Sequence, residues 1–298
     1  MKLDAVKFGI MYANAGPFGL PDHLENLARS AEAAGVESIW TVEHVVVPVG
    51  YASRYPYSES GKLPGGEQVP IPDPLLPLAY AAADTTKLRL ATGILILPQH
   101  HPVYVAKQLA TLDVLSRGRA ILGVGIGWLE EEFEVLGVPF KERAARTEEA
   151  LRAIRTLWKG EPEAFEGQFF RWPPVHSHPK PVQQPGVPVV VGGHVEGAAR
   201  RAARCGDGFF PAKSDPETLA RLKAALVDEC GKIGRDPDEI ELTTGMRASA
   251  GWGQADLDTV RRYQDLGVSR LVIGPPGFDK ESVRKGLSEL GEKVIAKL

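Results

Sequence analysis

The sequence predicts a (β/α)8 barrel with insertions after the second and the fourth strand, and three observations lead to this fold class. Eight apolar segments recur along the chain, and each is followed by a segment with helical periodicity. The apolar segments are near-continuous rather than alternating, as in parallel strands that are buried on both faces. The length of 298 residues suits one barrel domain, which typically needs about 250. A doubly wound open sheet remains the alternative, because the pattern does not determine whether the sheet closes into a barrel.

Predicted strands and helices alternate along the whole chain, which is interpreted as one domain over residues 1–298. The strands are expected at residues 6–12, 36–42, 88–97, 120–126, 187–191, 208–211, 240–245 and 271–273. The helices are expected at residues 21–35, 74–85, 103–115, 143–158, 196–204, 215–233, 254–266 and 280–295. Several helices end at a glycine, such as Gly35, Gly118 and Gly234, where a left-handed residue costs least.

Two segments interrupt this alternation. Segment 48–73 follows the second strand and is rich in Pro, Gly, Tyr and Ser. Loops of this length inside a compact domain are usually functional or disordered, and in a barrel this one would lie over the carboxyl ends of the strands. A lid and a flexible filler both stay open. Segment 161–187 contains a predicted turn or short hairpin at 165–170, then a proline-rich run, and is expected to cover one end of the barrel.

Composition excludes several classes of function. The chain has 35 Lys+Arg against 38 Asp+Glu, a net charge of −3, whereas a nucleic-acid-binding domain would be strongly basic. Its 43% hydrophobic and 24% charged residues are typical of a soluble globular protein. The two cysteines, Cys205 and Cys230, lack C-x-x-C spacing, and no signal peptide or apolar run of about 18 residues is evident. We expect a cytoplasmic protein without a membrane span.

Several catalytic motifs are missing from the sequence. His176-Ser177-His178 is the only H-x-H, and it has no obvious further metal ligand, so no metal site is predicted. Neither G-x-S-x-G nor a Walker A loop occurs. The run Gly123-Val124-Gly125-Ile126-Gly127-Trp128 is not a dinucleotide fingerprint, because Trp128 replaces its third glycine. These glycines allow either close approach of a flat ring to the backbone or tight packing within a barrel strand.

Residues that follow two of the predicted strands are candidates for anion binding and for proton transfer. Gly192 and Gly193 lie between a buried strand and a helix start, where backbone N–H groups and the helix dipole favour an anion such as phosphate. The alternative is that both glycines only form the turn. His44 follows the second strand, and a histidine at that position can transfer protons near neutral pH or be purely structural.

The chain resembles the bacterial luciferase-like monooxygenase superfamily, and within it the branch that uses the deazaflavin coenzyme F420. The resemblance covers nearly the whole chain. The motifs that carry it are Trp40-Thr41-Val42-Glu43-His44, Ala91-Thr92-Gly93-Ile94-Leu95-Ile96-Leu97-Pro98, His101-Pro102-Val103, Ala106-Lys107-Gln108-Leu109-Ala110-Thr111-Leu112-Asp113, Gly123 to Trp128, Gly192-Gly193 and Gly206-Asp207-Gly208-Phe209. Flavin-using members share most of these motifs.

The resemblance implies a barrel with the cofactor at the carboxyl ends of the strands. It implies a non-prolyl cis peptide between Gly93 and Ile94, which supports the face of the deazaflavin ring. His44 matches a histidine beside the ring that acts as general acid or base. Gly127 and Trp128 fall at the cofactor-binding mouth.

The resemblance also implies a phosphate site. Gly192 and Gly193 match the family's contact to the cofactor phosphate, and the amides of Val195 and Glu196 are expected to assist. Lys213 and Arg247 follow later strands, where either could reach an anionic substrate or the tail of the coenzyme.

One departure from the family pattern concerns the substrate. Deazaflavin-dependent sugar-phosphate dehydrogenases carry a catalytic glutamate where this chain has Trp128, which puts that reaction in doubt. Trp128 would instead form an aromatic wall for an apolar or planar substrate, or pack the mouth. Glu131 and Glu132 are expected to have a structural role at a helix start. Arg143 and Arg146 are expected to pair with Glu148 or Glu149.

The expected function is hydride transfer between coenzyme F420 and a small organic substrate, with His44 exchanging the accompanying proton. An FMN-dependent monooxygenase that uses O2 is the close alternative. A deazaflavin- or flavin-binding protein without turnover is the alternative from another class. A homodimer is expected from the resemblance alone.

Overall fold

Parallel strands form the centre of the molecule in the computed structural model, which describes residues 6–212, 215–246 and 257–298. The strands are β1 (Lys7–Ile10), β2 (Ser38–Thr41), β3 (Arg89–Thr92), β4 (Leu95–Ile96), β5 (Ala120–Gly125), β6 (Phe165–Glu166), β7 (Arg171–Trp172), β8 (Val189–Gly192), β9 (Gly208–Phe210), β10 (Glu241–Gly245) and β11 (Val268–Ile273). The pairings run from β3 through β2, β1, β11, β10, β9 and β8 to β5, and β5 pairs with β3 again, so the sheet closes into a barrel. The predicted (β/α)8 barrel is confirmed, and the open sheet is excluded.

Helices follow the barrel strands as the periodicity predicted. They are α1 (Pro21–Ala33), α2 (Leu75–Asp84), α3 (Pro102–Leu115), α4 (Glu130–Val135), α5 (Arg143–Trp158), α6 (Glu196–Cys205), α7 (Pro216–Ile233), α8 (Leu257–Asp265) and α9 (Lys280–Lys293). The helix predicted at 254–266 begins in residues outside the described ranges. In the described part of the chain, no helix is long and apolar enough to cross a membrane.

Two sequence predictions about the strands had different outcomes. An uninterrupted strand over 88–97 is wrong, because the backbone leaves the ladder after Thr92 and resumes as β4. The apolar run continues through this break, so hydrophobicity alone did not mark it. The hairpin at 165–170 is confirmed, with β6 and β7 antiparallel.

The rest of segment 161–187 reaches the amino-terminal end of the barrel. The Gln183 side chain donates to the carbonyl of Ala120 at the start of β5, at 2.9 Å. Asp113, at the end of α3, accepts the amides of Val182 and Gln183 at 2.8 and 3.0 Å. This segment therefore lies at the end of the barrel opposite the carboxyl ends of the strands.

The interior of the barrel is filled by side chains, so the barrel is not a pore. Trp40 meets Phe210 across the interior in an edge-on contact, with ring centroids 5.3 Å apart. The residues packed with this pair are Ala91, Ile121, Val190 and Val272. A larger apolar layer lies between the strands and the surrounding helices.

Arg270 is a fully buried cation at the base of this interior. Its guanidinium donates twice to Glu37, at 2.9 and 2.8 Å, and once to Glu241 at 2.7 Å. Burial alone would raise the pKa of the Glu37 carboxyl, but the hydrogen bonds and charge of Arg270 lower it below the usual 4.5. This network joins β10 and β11 to the segment that enters β2.

Replacing Arg270 by methionine is expected to lower the free energy of unfolding by about 3–5 kcal/mol, because the largely buried carboxylate of Glu37 would lose its main partner, whereas Glu241 would keep Lys7. Urea denaturation followed by circular dichroism at pH 7 measures this loss. The wild-type network contributes stability above pH 4.5, which is lost as the pH falls through the lowered pKa of Glu37. The variant should therefore lose less stability on acidification than the wild type.

The matched control is Arg29→Met, which removes an arginine whose side chain is 59% exposed and paired with Glu25 and Asp84. An exposed pair of this kind contributes about 0–1 kcal/mol. Equal losses from the two substitutions would contradict the assignment of Arg270 as a structural centre.

Candidate functional site

A cleft with two lobes opens at the carboxyl ends of the barrel strands. The lobes meet at Gly93, Ile94, Gly127 and Trp128, which line both. The apolar lobe has a volume of about 540 Å³ and includes Phe18, Leu63, Val69, Ile71 and Phe278. The polar lobe has a volume of about 1130 Å³ and includes Arg54, Arg143, His194, Val195 and Arg201.

The floor between the lobes is a shelf of backbone formed by Gly93 and Ile94. The bond that joins them is cis, as the resemblance implied. The Gly93 amide donates to the Thr41 carbonyl at 2.6 Å. A Cβ at Gly125 or Gly192 would lie 2.7 or 2.8 Å from the Ile94 side chain, so these two glycines make room for the shelf.

Glu43 supports the backbone that follows the shelf. Its carboxylate accepts the Ile96 amide with one oxygen and contacts His100 Nε2 with the other at 2.8 Å. Burial alone would lower the pKa of His100, but the hydrogen bond and charge of Glu43 raise it above 6.5. His101 accepts the Val103 amide and begins α3. The carboxylate of Glu43 is thus fully engaged in structure.

His44 lies beside the shelf, and both of its ring nitrogens have partners. Nδ1 is 3.0 Å from Glu132 Oε2, and Nε2 accepts from Trp128 Nε1 at 3.3 Å. An indole N–H can only donate, so Nε2 carries the lone pair and the imidazole proton is on Nδ1. This tautomer can accept a proton at Nε2 once the hydrogen bond from Trp128 is released, and both side chains line the apolar lobe.

Glu132 is the residue that orients His44, and sequence analysis missed this role. It is fully buried in the first turn of α4, and its Oε1 accepts the amides of Val45 and Val46 at 2.6 and 3.2 Å. The helix start was predicted, but the contact with His44 joins residues 88 positions apart. Three consecutive glutamates in that turn left no local signal for which one faces inward.

Trp128 forms the wall between the lobes. Its ring packs edge-on against Tyr51 and Tyr55, with centroids 5.5 and 5.2 Å apart. Gly127 turns the chain with φ +79°, and a Cβ there would lie 2.7 Å from the Phe133 ring. Only glycine satisfies both constraints, so Gly127 serves to place Trp128.

Segment 48–73 forms one side of the cleft. Tyr55 and Tyr57 line both lobes, while Leu63, Val69 and Ile71 line the apolar lobe. Glu131 holds the start of this segment by accepting the amides of Ala52 and Ser53 at 2.6 and 3.0 Å. The segment is therefore part of the cleft wall, and its role as a lid stays a prediction.

The polar lobe ends at the amino terminus of α6. The Gly193 amide already donates to the Phe210 carbonyl at 3.1 Å, and Gly192 is part of β8. The helix has no side-chain cap, so the amides of its first turn, from Val195 and Glu196 onward, are the ones available to an anion.

Arginines add positive charge to this lobe. Burial lowers the pKa of Arg201, which is 6% exposed and lies 3.3 Å from Glu148. Arg143 lies over the Phe140 ring at 3.7 Å, and burial together with the charge of Arg201 lowers its pKa although Glu130 opposes this.

The predicted pairing of Arg143 and Arg146 with Glu148 or Glu149 is wrong. Glu148 pairs with Arg201 and Arg204, and Glu149 accepts the amides of the β6–β7 turn. Arg146 instead lies 3.5 Å from Glu142. The spacing along α5 indicated that these arginines and glutamates lie close together. Residues outside α5 hold both carboxylates instead. Arg143 is thereby free to face the polar lobe.

Two candidates for anion binding, Lys213 and Arg247, lie outside the described residues. Within the described ranges, no group of three or more His, Cys, Asp or Glu side chains is placed to hold a metal ion.

A closed parallel barrel with a cleft at its strand ends is the architecture of (β/α)8-barrel enzymes, which build active sites from the loops that follow the strands. The chain belongs to the luciferase-like monooxygenase family, whose profile matches residues 8–276. The imidazole and the shelf lie within this matched region.

Relatives and solved structures agree with this membership. An F420-dependent glucose-6-phosphate dehydrogenase of Nakamurella multipartita is 32% identical over 266 residues, covering 87% of this chain and 71% of that protein. A monooxygenase from Streptomyces bottropensis has a TM-score of 0.73 at 26% identity, covering 98% and 99% of the two chains. An F420-dependent secondary alcohol dehydrogenase in complex with an F420-acetone adduct has a TM-score of 0.79 at 19% identity with the same coverage, and therefore supports the fold alone.

Replacing Glu132 by glutamine is expected to reverse the tautomer of His44. The amide oxygen of glutamine would stay on the Val45 and Val46 amides, so its NH2 group would face Nδ1 and require an acceptor there. The proton would then move to Nε2, opposite the Trp128 N–H. The 15N chemical shifts of the two ring nitrogens in a histidine-labelled chain distinguish the tautomers.

The control is Glu131→Gln, which changes the same helical turn by the same chemistry but contacts segment 48–73 instead of His44. It should leave the His44 resonances unchanged. An unchanged Nδ1–H tautomer in Glu132→Gln would show that Glu132 does not orient the imidazole.

Proposed function

We propose that this chain is an oxidoreductase that transfers a hydride between coenzyme F420 and a small organic substrate. The observation that carries the proposal is His44, which lines the cleft beside the shelf, with Nδ1 held by a buried carboxylate and Nε2 accepting from the Trp128 indole. The relative named an F420-dependent dehydrogenase supports this choice of coenzyme.

The residues of the cleft fit such a coenzyme. The shelf offers flat backbone for a ring, and the polar lobe extends from it to α6. A Cβ at Gly193 would lie 2.7 Å from Ala198, so a side chain there would crowd the helix start. The first-turn amides and the guanidiniums of Arg143 and Arg201 suit a phosphate and a further anionic group. When bound, the deazaflavin supplies the carbon that accepts or returns the hydride.

His44, Glu132 and Trp128 perform the remaining chemistry. In the oxidation direction, His44 Nε2 takes the proton of a substrate hydroxyl as the hydride leaves the adjacent carbon. Glu132 keeps Nδ1 protonated and stabilises the imidazolium that forms. The indole N–H of Trp128 donates to His44 Nε2 when no substrate is bound. It can donate to the substrate oxygen instead when the substrate hydroxyl occupies Nε2.

An FMN-dependent monooxygenase is the second candidate, favoured by the likeness to the Streptomyces bottropensis monooxygenase. A phosphate-tailed flavin would use the same shelf and helix terminus. A carrier without turnover would need neither His44 nor its buried partner.

The proposal also includes three expectations from the resemblance and the sequence. They are a homodimer, a lid role for segment 48–73 and a cytoplasmic location.

Titration with each coenzyme tests the choice of cofactor. We expect F420 to bind more tightly than FMN, measured by fluorescence. Gly193→Val should weaken F420 by at least about tenfold, because it displaces amides that bind a charged group. It should barely affect the phosphate-free deazaflavin. Gly160→Ala, where an added Cβ meets nothing within 4 Å, is the control. Tight FMN binding with negligible F420 binding would reverse the order of the candidates.

Removal of the imidazole tests the reaction. His44→Ala is expected to lower kcat by about 10²–10⁴-fold, because a positioned general acid or base contributes that much. The Kd for F420 should change little. His23→Ala, a half-buried residue of α1 that does not line either lobe, is the control. A wild-type rate and pH dependence in His44→Ala would remove His44 from the mechanism.

A further inference from the structure

Arg201 is a buried arginine whose guanidinium has unused hydrogen-bond donors. Its side chain is 8% exposed and lines the polar lobe from the second turn of α6. Within the described residues it donates no hydrogen bond, and its Nε is buried without an acceptor. Glu148 lies 3.3 Å away and supplies negative charge, but this carboxylate already accepts two hydrogen bonds from Arg204.

Two other buried arginines of the described chain show what a structural role requires. Arg119 donates five hydrogen bonds. Arg270 donates four. Buried polar groups generally have hydrogen-bond partners, and each exception needs an explanation. Arg201 is such an exception, and it lies at the wall of a cleft, where a bound ligand can supply the acceptor.

Arg143 lies in the same lobe and also has an unused donor. Its guanidinium lies over the Phe140 ring, 3.7 Å from the centroid, and Nη1 donates to the Phe140 carbonyl at 2.8 Å. Its Nε is buried without a partner. Burial lowers the pKa of Arg143, and the charge of Arg201 lowers it further although Glu130 opposes this, so the two guanidiniums are close to each other.

Two neighbouring guanidiniums with unused donors suit an oxyanion. A carboxylate or a phosphate accepts parallel N–H bonds from the planar fork of an arginine. The anion also removes the repulsion between the two positive charges. Among the described residues that line this lobe, three are arginines and none is an aspartate or a glutamate.

The position of the two arginines indicates which anionic group of a coenzyme they meet. The first-turn amides of α6 are already suited to the phosphate. Arg201 lies five residues after Glu196, about 7.5 Å along the helix axis at a rise of about 1.5 Å per residue. Coenzyme F420 carries carboxylates beyond its phosphate, whereas FMN ends at the phosphate.

We propose that Arg143 and Arg201 form a carboxylate site for the tail of the coenzyme and thereby select F420 over FMN. One carboxylate accepts from both guanidiniums, while the phosphate lies at the start of α6. This inference rests on the proposed function and names the group that the outer part of the polar lobe recognises. The pair acts through binding alone, since no bond is made or broken there.

Two deazaflavins that differ only beyond the phosphate test the proposal. They are F420 and the deazaflavin 5′-phosphate, which has the same ring and a phosphate but no carboxylate. Arg201→Met should weaken F420 binding at least about tenfold and the deazaflavin 5′-phosphate less than about twofold, because only F420 loses a charged hydrogen bond. Fluorescence titration measures both dissociation constants. Equal weakening of the two ligands, or no change in either, would overturn the proposal.

Further variants test whether the two arginines share one carboxylate. Arg201→Lys keeps the charge but loses the planar fork, so it should weaken F420 less than Arg201→Met. Arg143→Met should resemble Arg201→Met, and the double variant should lose less than the product of the two effects. Fully multiplicative losses would contradict a shared carboxylate. Arg152→Met, which removes an exposed arginine of α5 that lines neither lobe, is the control.

An unattached oxyanion is the other source of the same chemistry. Inorganic phosphate is titrated calorimetrically into the chain loaded with the deazaflavin 5′-phosphate. We expect no saturable binding, because the carboxylate site depends on the tail that holds its ligand in place. Phosphate binding that Arg201→Met abolishes, with no change in the Kd for F420, would assign the pair to a separate anion and overturn the tail site.

The measured outcomes separate this inference from the proposed function. F420 that binds with the expected dependence on Arg201 but is never reduced or oxidised would support the carboxylate site and refute hydride transfer. Turnover of F420 with an unchanged Kd in Arg201→Met would support hydride transfer and refute the carboxylate site.

Discussion

Acidic side chains that accept backbone amides hold the loops of this barrel. A loop that leaves a parallel strand carries N–H groups with no ladder partner, and buried ones must find an acceptor. A carboxylate accepts two or three such groups at once, and each hydrogen bond to a charged group contributes about 1.5–3 kcal/mol. The carboxylates that do so include Glu32 on 86–88, Glu43 on Ile96, Asp113 on Val182 and Gln183, Glu132 on Val45 and Val46, and Glu149 on 168–170. Glu43 and Glu132 make these bonds beside the cleft, whose shape depends on them.

At Glu132 the hydrogen bonds from loop amides to the carboxylate also have a chemical consequence. Two amides hold one carboxylate oxygen, which leaves the other aimed at His44. The backbone of the loop therefore determines the tautomer of the imidazole. At Glu43 the second oxygen goes to His100, away from the cleft, so that neighbouring carboxylate stays structural. Two adjacent residues, Glu43 and His44, thus belong to separate acid–imidazole pairs with different tasks.

Repeating hydrophobicity predicted the eight strand–helix units of the barrel, because each strand and helix has its own local pattern. It did not exclude an open sheet, because closure depends on pairing between strands that are distant in sequence. The site was predicted only in part. His44 and the glycine turn before α6 are visible at strand ends, whereas the cis bond after Gly93 followed only from the resemblance. The partner of His44 could not be predicted, since Glu131 and Glu132 have the same chemistry and differ only in the direction each faces. Arg143 was misassigned because helical spacing does not say which tertiary partners compete for Glu148 and Glu149. The division of the cleft into lobes depends on the contact between Trp128 and segment 48–73. A local sequence pattern cannot predict a contact between residues so distant in sequence.

Glu131 and Glu132 are consecutive in the first turn of α4 but hold different parts of the molecule. Glu131 fastens Ala52 and Ser53 of segment 48–73, and Glu132 fastens His44. Lifting that segment would release hydrogen bonds from the very turn that orients the imidazole. Segment 48–73 and the imidazole are therefore anchored to neighbouring residues of a single helical turn.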